Sequence, residues 1–274
     1  MAGCFSSGIR GSKILRELAS LWIGGALGQM EIASLKSLMH LGHPVTLFSY
    51  SPVPNVPVGV RTRDAAEIFC GNRILIYRDK RKPSPALHAN LFRYAMLQKT
   101  ELTWVDLDII GLRPFPDTDY VMGFETGSSV NNAVLRLPRN SPALQDLLCF
   151  SPSTRGIAPH IIGARRLKYW VRSFGQGYPI EKWAWGSTGP KALTIYLSRH
   201  NELQHALRPT AFYPIGVHAH NQFLEPGRWC LSDFGQDTFC LHLWGSRIRN
   251  TLHHNFGDNV PAGSLYSEIL VKFL

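Results

Sequence analysis

The sequence predicts an α/β protein of a single domain over residues 1–274, built on one mixed sheet flanked by helices, with a small helical part at its C-terminal end. A strand, a helix and a second strand follow one another near the N-terminus, and a helix followed by a short apolar run recurs after residue 85. With 274 residues, of which 45% are hydrophobic and 11% aromatic, the chain can bury one sizeable core.

The N-terminal pattern is a β-α-β unit. Its strands run from Leu18 to Ile23 and from Pro44 to Tyr50, and the helix between them covers Gln29 to Leu41. Connections this short predict a parallel strand pair joined by a right-handed crossover. Because ligands of such sheets bind beyond the carboxyl ends of the strands, the segment from Trp22 to Gly25 is a candidate binding position.

The second pattern lies between Ala86 and Ile110. From Ala86 to Gln98 apolar residues recur at helical spacing, with Asn90 and Arg93 three residues apart on a neighbouring stripe. Thr103 to Ile110 is then an almost continuous apolar run, which predicts one strand covered on both faces.

Two carboxylates, Asp106 and Asp108, interrupt this apolar run near its end. An isolated buried ion is very costly, so both carboxylates need a cation. Positions two apart in a strand point the same way, and the two side chains can converge on one metal. Oxygen ligands of this kind suit Mg²⁺ or Mn²⁺.

Composition restricts the partners and the compartment. The formal charge of +10 favours an anionic ligand or surface. Five scattered cysteines without a C-x-x-C pair argue for a reducing compartment, and neither a membrane-length apolar run nor a signal peptide is evident. We therefore expect a cytoplasmic protein whose first ten to fifteen residues form a loose tail, and whose basic loop from Arg78 to Pro85 either is solvated or lines a diphosphate.

Further elements follow in the C-terminal direction. Strands are predicted at Tyr120–Glu125 and Asn131–Leu137, and helices at Ser141–Phe150 and His160–Phe174. The last helix has an apolar stripe and a basic face. Such a helix either packs on the core, which is the commoner case, or lies on an anionic membrane as a peripheral contact.

The order Asn90, Arg93, Asp106, Asp108 resembles the sugar-nucleotide site of the DXD-containing sugar transferases. These retaining α-glycosyltransferases include yeast mannosyltransferases, α-1,4-galactosyltransferases, capsular polysaccharide transferases and glucosylating bacterial toxins. In that family a helix with Asp-x-x-Arg-Tyr runs into Gly-Gly-x-Tyr-x-Asp-x-Asp. This chain departs from the pattern, because Asn90 replaces the usual aspartate and Glu101 lies near the usual glycine pair.

Four shorter segments add to this resemblance. LWIGG, with Trp22 and Gly24, is similar to the toxin segment whose tryptophan stacks on uracil. NNAVLRLP, with Asn131 and Asn132, resembles the family segment after the metal strand, where the asparagines either cap a turn or hold hydroxyl groups. GSTGPKALTIYL from Gly186 resembles a family turn and helix start. CLHLW resembles the family His-x-Trp, which implies His242 as third metal ligand and Trp244 as a lid over the diphosphate or sugar.

The resemblance implies a GT-A-like fold with a Rossmann-type sheet, a nucleotide-sugar half over about 18–150 and an acceptor half over about 151–274. It implies a metal-dependent retaining transfer of sugar from a nucleotide diphosphate, UDP above all, to a hydroxyl of a glycan, a lipid-linked or a small-molecule acceptor. The cofactor would be Mn²⁺ or Mg²⁺. The resemblance implies three catalytic residues, Asp106, Asp108 and Arg93. It implies three metal ligands, Asp108, Asp106 and His242. The residues that would contact the nucleotide-sugar donor are Trp22, Gly24, Asn90, Arg93, Asp106, Asn131, Asn132 and Trp244.

Two other functions remain open at this point. An apolar strand that ends in D-x-D also begins the active site of haloacid-dehalogenase-like phosphatases, where the first aspartate is the nucleophile. A basic nucleic-acid-binding protein would rest on charge alone, and no nucleic-acid-binding motif accompanies it. The helix with Asn90 and Arg93 upstream of the D-x-D distinguishes the transferase, because neither alternative requires it.

Overall fold

The structure, a computed structural model, describes residues 15–71, 73–78 and 83–274. The expected N-terminal tail therefore lies outside the described residues, as does the centre of the basic loop, residues 79–82. No helix within the described ranges combines the length and the apolar character that crossing a membrane requires.

The chain forms a mixed α/β structure, as the sequence predicts. The strands are β1 (Leu18–Trp22), β2 (Val45–Ser49), β3 (Arg61–Asp64), β4 (Thr103–Val105), β5 (Ile109–Gly111), β6 (Val121–Thr126), β7 (Ser129–Arg136), β8 (Arg155–Gly156), β9 (Tyr178–Pro179) and β10 (Cys240–His242). The helices are α1 (Gln29–His40), α2 (Ala86–Lys99), α3 (Pro142–Leu148), α4 (Gly163–Arg172), α5 (Pro190–Arg199), α6 (Gly245–Phe256) and α7 (Leu265–Phe273).

The main sheet has six strands in the order β3-β2-β1-β4-β7-β6. Strands β1 to β4 are parallel, which confirms the predicted parallel pair, and β7 is antiparallel to both of its neighbours. The chain builds outward from β1 to β3 and then returns to place β4 on the other side of β1. The carboxyl ends of β1 and β4 therefore flank a topological switch point, where ligands of open α/β sheets bind.

Helices cover both faces of this sheet. On one face, α1, α6 and α7 contribute buried residues such as Leu35, Ile248 and Ile269 to a common cluster. On the other face, α2, α3 and α5 contribute Phe92 and Leu193 to a second cluster. The predicted cover on both faces of the central strands is thus confirmed, and the small helical C-terminal part corresponds to α6 and α7.

The prediction of one strand from Thr103 to Ile110 is wrong. β4 ends at Val105, the two aspartates lie in a turn, and β5 pairs antiparallel with β10 in a separate two-stranded sheet. Ser34 of α1 donates a hydrogen bond to the carbonyl of Ile109 (2.7 Å), and Ser37 accepts one from the amide of Gly111 (2.9 Å). These contacts draw β5 onto α1, and an apolar run cannot show where the chain changes sheets.

The helix predicted at His160–Phe174 is confirmed as α4, but its expected packing on the core is wrong. None of the residues of α4 is buried. Tyr169 alone makes a substantial inward contact, against a small cluster that includes Leu87 and Leu91 of α2. The apolar stripe of the helix faces away from the protein.

Candidate functional site

The D-x-D turn and a late histidine meet at the switch point. One ligand atom from each of Asp106, Asp108 and His242 lies within 4.8 Å of the other two. β4 delivers the first aspartate, the turn after it delivers the second, and β10 delivers the histidine through its pairing with β5. The tertiary fold thus joins residues that are more than 130 positions apart in sequence.

Asp106 is held by the helix that precedes it in sequence. Its Oδ1 accepts hydrogen bonds from Arg93 Nη2 (2.6 Å) and Trp104 Nε1 (2.6 Å). The Arg93 guanidinium also lies over the Trp104 ring, 4.4 Å from its centroid. Burial raises the pKa of Asp106, while the charge of Arg93 opposes this shift and the nearby Asp108 reinforces it. When Asp106 and Asp108 are both ionised, their negative charges repel each other, and a bound cation would offset this repulsion.

Asp108 belongs to a different set of partners. Its Oδ2 accepts a hydrogen bond from the backbone amide of Gly245 (2.8 Å) at the start of α6, and its Oδ1 lies 3.3 Å from His242 Nε2. Burial on its own would raise the pKa of Asp108, but His242, the Gly245 amide and the charge of Arg249 together lower it to about 2. This carboxylate is therefore ionised throughout the neutral range, as a metal ligand must be.

His242 and Trp244 form a tilted ring pair beside Asp108. Their ring centroids are 4.0 Å apart, and Trp244 Nε1 donates a hydrogen bond to the carbonyl of Ile215 (2.8 Å). Burial would lower the pKa of His242, but the contact with Asp108 outweighs it and the pKa is raised. The Trp244 ring is buried and supports the histidine, rather than projecting from the site as a lid.

A buried polar cluster lies beneath the aspartates. Asn90 Oδ1 accepts hydrogen bonds from Arg93 Nη1 (2.8 Å) and Asn132 Nδ2 (2.9 Å), and its own Nδ2 donates to Thr188 Oγ1 (3.2 Å). This use leaves Asn90 with one further N–H. A Cβ at Gly189 would lie 2.9 Å from Asn90 Nδ2 and 3.2 Å from Asn132 Nδ2, so only glycine fits there.

The other predicted donor contacts are nearby but separate. Trp22 ends β1, at the same edge of the sheet as the carboxyl end of β4, and its Nε1 donates to the carbonyl of Gly25 (2.8 Å). The Trp22 indole packs against the turn that follows β1. A Cβ at Gly24 would lie 3.4 Å from the indole ring. Asn131 lies within β7, where it donates a hydrogen bond to Glu125 (2.8 Å) and accepts one from the amide of Ala133 (2.8 Å).

Some residues of the site carry no signal that sequence inspection could use. Thr188 connects three partners, since its Oγ1 contacts Tyr77 (2.6 Å) and Asn90 and its carbonyl accepts from Tyr94 (2.8 Å). The Gly245 amide is a backbone group, which no residue pattern identifies. The sequence pattern of GSTGP, from Gly186, predicts a turn and a helix start, and does not indicate that Thr188 bonds to Asn90 and Tyr94.

An ion pair joins the first turn of α1 to α6. Glu31 accepts hydrogen bonds from the amide of Gly28 (3.1 Å) and from Arg249 Nη1 (2.9 Å). Met30 packs against Gly245, where a Cβ would come within 2.8 Å of the Met30 sulfur. The first turn of α1 thus borders the Asp108 side of the cluster.

The three clustered residues fit a divalent cation. Ligand atoms around an octahedral ion lie roughly 3 to 4.2 Å apart, and the observed spread of 4.8 Å needs only a small contraction. Within the described part of the chain, the buried Nδ1 of His242 has no hydrogen-bond partner. Two carboxylates and one imidazole are donors that Mn²⁺ accepts readily, and Mg²⁺ accepts the oxygens.

No protein-family model matches this chain, and no curated protein matches it in sequence. The geometry therefore carries the functional argument. The group at the carboxyl ends of the parallel strands could hold a divalent cation, and a buried arginine orients one of its carboxylates.

Proposed function

We propose that this protein is a metal-dependent retaining glycosyltransferase of the DXD type, which moves a sugar from a UDP-linked donor to a hydroxyl acceptor. The observation that carries the proposal is the cluster of Asp106, Asp108 and His242 at the switch point, directly above the buried Arg93. A phosphatase or a nucleic-acid-binding protein needs no arginine at this place.

The chain's own residues have distinct roles in this proposal. Asp108 is the direct metal ligand, since its carboxylate is ionised and oriented by the Gly245 amide. Asp106 divides its oxygens between the metal and the sugar or ribose. Arg93 acts through Asp106, because its side chain is only 4% exposed and both of its terminal nitrogens are engaged.

A bound Mn²⁺ or Mg²⁺ would neutralise the negative charge that develops on the departing diphosphate. Trp22 gives the base an aromatic surface at the end of β1, and the buried Asn90 orients Arg93 beneath the metal cluster. The net charge of +10 favours an anionic donor over a neutral one. The acceptor is a hydroxyl of a glycan, a lipid-linked sugar or a small molecule.

The test is a thermal-shift screen of the protein with UDP, GDP and ADP and their common sugars, each with Mn²⁺, Mg²⁺ or EDTA. A ligand present at 100 times its dissociation constant stabilises the folded state by about 2.7 kcal/mol, which is readily measured. We expect the largest shift with UDP and Mn²⁺, and none with EDTA. An absence of shift with every nucleotide would contradict the proposal.

Two variants connect the shift to the cluster. Asp108→Asn should lose the Mn²⁺-dependent shift, whereas Asp237→Asn, at an exposed aspartate, should keep it. UDP should also quench the tryptophan fluorescence of the wild type and quench it less in Trp22→Leu, with Trp229→Leu as the matched control. Equal quenching in all three proteins would remove Trp22 from the site.

Activity separates the transferase from the phosphatase. The transferase should release UDP from a UDP-sugar in the presence of Mn²⁺, and the anomeric configuration of the transferred sugar should be retained. Hydrolysis of para-nitrophenyl phosphate that Asp106→Asn abolishes, without release of UDP from any donor, would favour the phosphatase instead.

A further inference from the structure

The segment around α4 exposes more large apolar side chains than a surface helix of a globular protein usually does. Each of five large apolar side chains between residues 162 and 174 is more than half exposed: Ile162, Leu167, Trp170, Val171 and Phe174. All five lie within one short stretch of chain, with Leu167 and Val171 on the same face of α4, and clustered exposed apolar side chains mark sites of interaction.

The apolar stripe of α4 points directly away from the protein. Tyr169 marks the inward face, because it is half-buried and its ring packs edge-on against Tyr178, with centroids 5.9 Å apart. At 100° per residue, Leu167 and Val171 lie roughly 160° around the helix from Tyr169, on either side of the direction opposite to it. The residues available for contact are therefore those farthest from the core.

Positive charges flank this stripe on both sides. Arg165, Lys168 and Arg172 follow one another at helical spacing on one side, Arg166 lies on the other, and all four are exposed. Residues 160–180 contain neither aspartate nor glutamate. A shallow groove lined by Arg165, Lys168, Arg172 and Tyr169 runs beside the stripe.

We propose that α4 docks this protein on the surface of an anionic phospholipid bilayer. An apolar stripe between cations is the pattern of a helix that lies in the membrane interface, with its apolar face among the acyl chains and its cations at the phosphates. The charge is complementary to lipid phosphate, and Trp170 at the edge of the stripe suits the interfacial region.

A second copy of this chain is a poor occupant of the same face. A two-fold interface would bring the four cations of one α4 against the four of the other, which repel. The stripe of a single ten-residue helix is also smaller than the roughly 800 Å² per partner that stable dimers bury. A lipid surface meets both conditions, since it is anionic and extends as far as the stripe does.

The docking surface and the candidate site share contacts with α2. Tyr169 and Ile161 pack in the same cluster as Leu87 and Leu91 of α2, and Asn90 and Arg93 lie on a neighbouring stripe of that helix. The docking proposal stands whether or not the protein transfers sugars, because it uses none of the site residues.

The test is co-sedimentation of the full chain with sonicated vesicles. One set is phosphatidylcholine alone, and the other contains about 30 mol% phosphatidylglycerol, which supplies the anionic surface. We expect binding to the anionic vesicles only, and weaker binding as salt rises. The emission of Trp170 should shift to the blue on binding, and Trp170→Phe should lose that part of the shift.

Matched variants separate the stripe from general effects. Val171→Glu should reduce vesicle binding at least tenfold, whereas Val271→Glu, at a still more exposed helical valine on α7, should not. Replacing Arg165, Lys168 and Arg172 by glutamine should weaken binding roughly a hundredfold, at about 1 kcal/mol per cation. Replacing the exposed Arg208, Arg228 and Lys272 removes the same charge elsewhere and should have a much smaller effect.

Three results would overturn the proposal. The first is absence of wild-type binding to anionic vesicles at low salt. The second is wild-type affinity in Val171→Glu. The third is a concentration-dependent dimer in analytical ultracentrifugation that Val171→Glu dissociates, since a second copy would then occupy the face. Thermal melting of every variant serves as the folding control, and we expect unchanged melting because the substituted side chains are exposed.

Discussion

The two aspartates of the D-x-D are two residues apart, yet they belong to different parts of the molecule. Asp106 is anchored to α2 through Arg93 and, through Asn90, to the turn before α5. Asp108 is anchored to β10 and the start of α6. The Asp106 side is a polar network bonded to the buried Arg93, and the Asp108 side is an ionised carboxylate in a cluster that could hold a cation. Damage to each side should therefore have a different consequence.

The largest effect on stability should come from Arg93→Met. This change removes the buried cation that pairs with Asp106, stacks on Trp104 and donates to Asn90. Loss of one partner of a buried pair costs about 3 to 5 kcal/mol, and the low end applies because Asp106 is one-third exposed. Urea denaturation measures this loss in the free energy of unfolding. Arg139→Met, at a half-exposed arginine, should cost far less, and equal costs would show that the Asp106 network does not support the fold.

Gly189→Ala should destabilise the same network by about 2 kcal/mol. The new methyl group would lie 2.9 Å from Asn90 Nδ2, and Asn90 cannot retreat without losing its hydrogen bonds to Arg93 and Thr188. Gly127→Ala is the control, since a Cβ there meets nothing within 4 Å. The melting temperatures of the two variants measure the difference, and equal melting temperatures would contradict a role of Gly189 in the network.

A smaller, pH-dependent effect is expected at His88, on the first turns of α2. Its Nδ1 accepts a hydrogen bond from the amide of Leu75 (3.3 Å), and its Nε2 contacts the hydroxyl of Tyr50 (2.7 Å). Burial lowers the pKa of His88 from 6.5 to about 4. The unfolded chain therefore binds the proton first, and stability contributed by the neutral ring is lost as the pH falls from 6.5 towards 4.

Urea midpoints at pH 7 and at about pH 4.5 test this expectation, since the ring is neutral at the first and partly charged at the second. The drop between the two should be smaller in His88→Gln than in the wild type. His253→Gln, at an exposed histidine, should show the full wild-type drop. If both variants behave alike, the neutral ring of His88 does not contribute.

The smallest effect on stability should come from Asp108→Asn in the absence of metal. At pH 8 we expect the free energy of unfolding to fall by less than about 1 kcal/mol. Asparagine still accepts from the Gly245 amide, His242 can release its proton, and the repulsion between the two carboxylates disappears. Calorimetry with and without Mn²⁺ should then show the contrast with Arg93→Met. Asp108→Asn would keep the fold and lose the metal, and a large loss of stability would contradict the division into two sides.

The sequence by itself determined the elements whose pattern is local. The β-α-β unit, α2, the strands β6 and β7 and the amphipathic character of α4 follow from the spacing of apolar residues, which depends only on helix and strand geometry. The sequence also predicts a cation site at the D-x-D, because two carboxylates in an apolar run need a counter-charge, and Asp106 and Asp108 lie close enough to His242 to hold one. The position of His242 came from a motif, and the structure places it beside Asp108.

Only the tertiary structure decided where the chain turns and which faces find a partner. The run from Thr103 to Ile110 splits between two sheets because the serines of α1 bind β5, a contact between distant segments. The stripe on α4 has the same periodicity as a core helix, yet the fold leaves it exposed. Periodicity specifies that an apolar face exists, whereas the partner of that face depends on the arrangement of all the other elements.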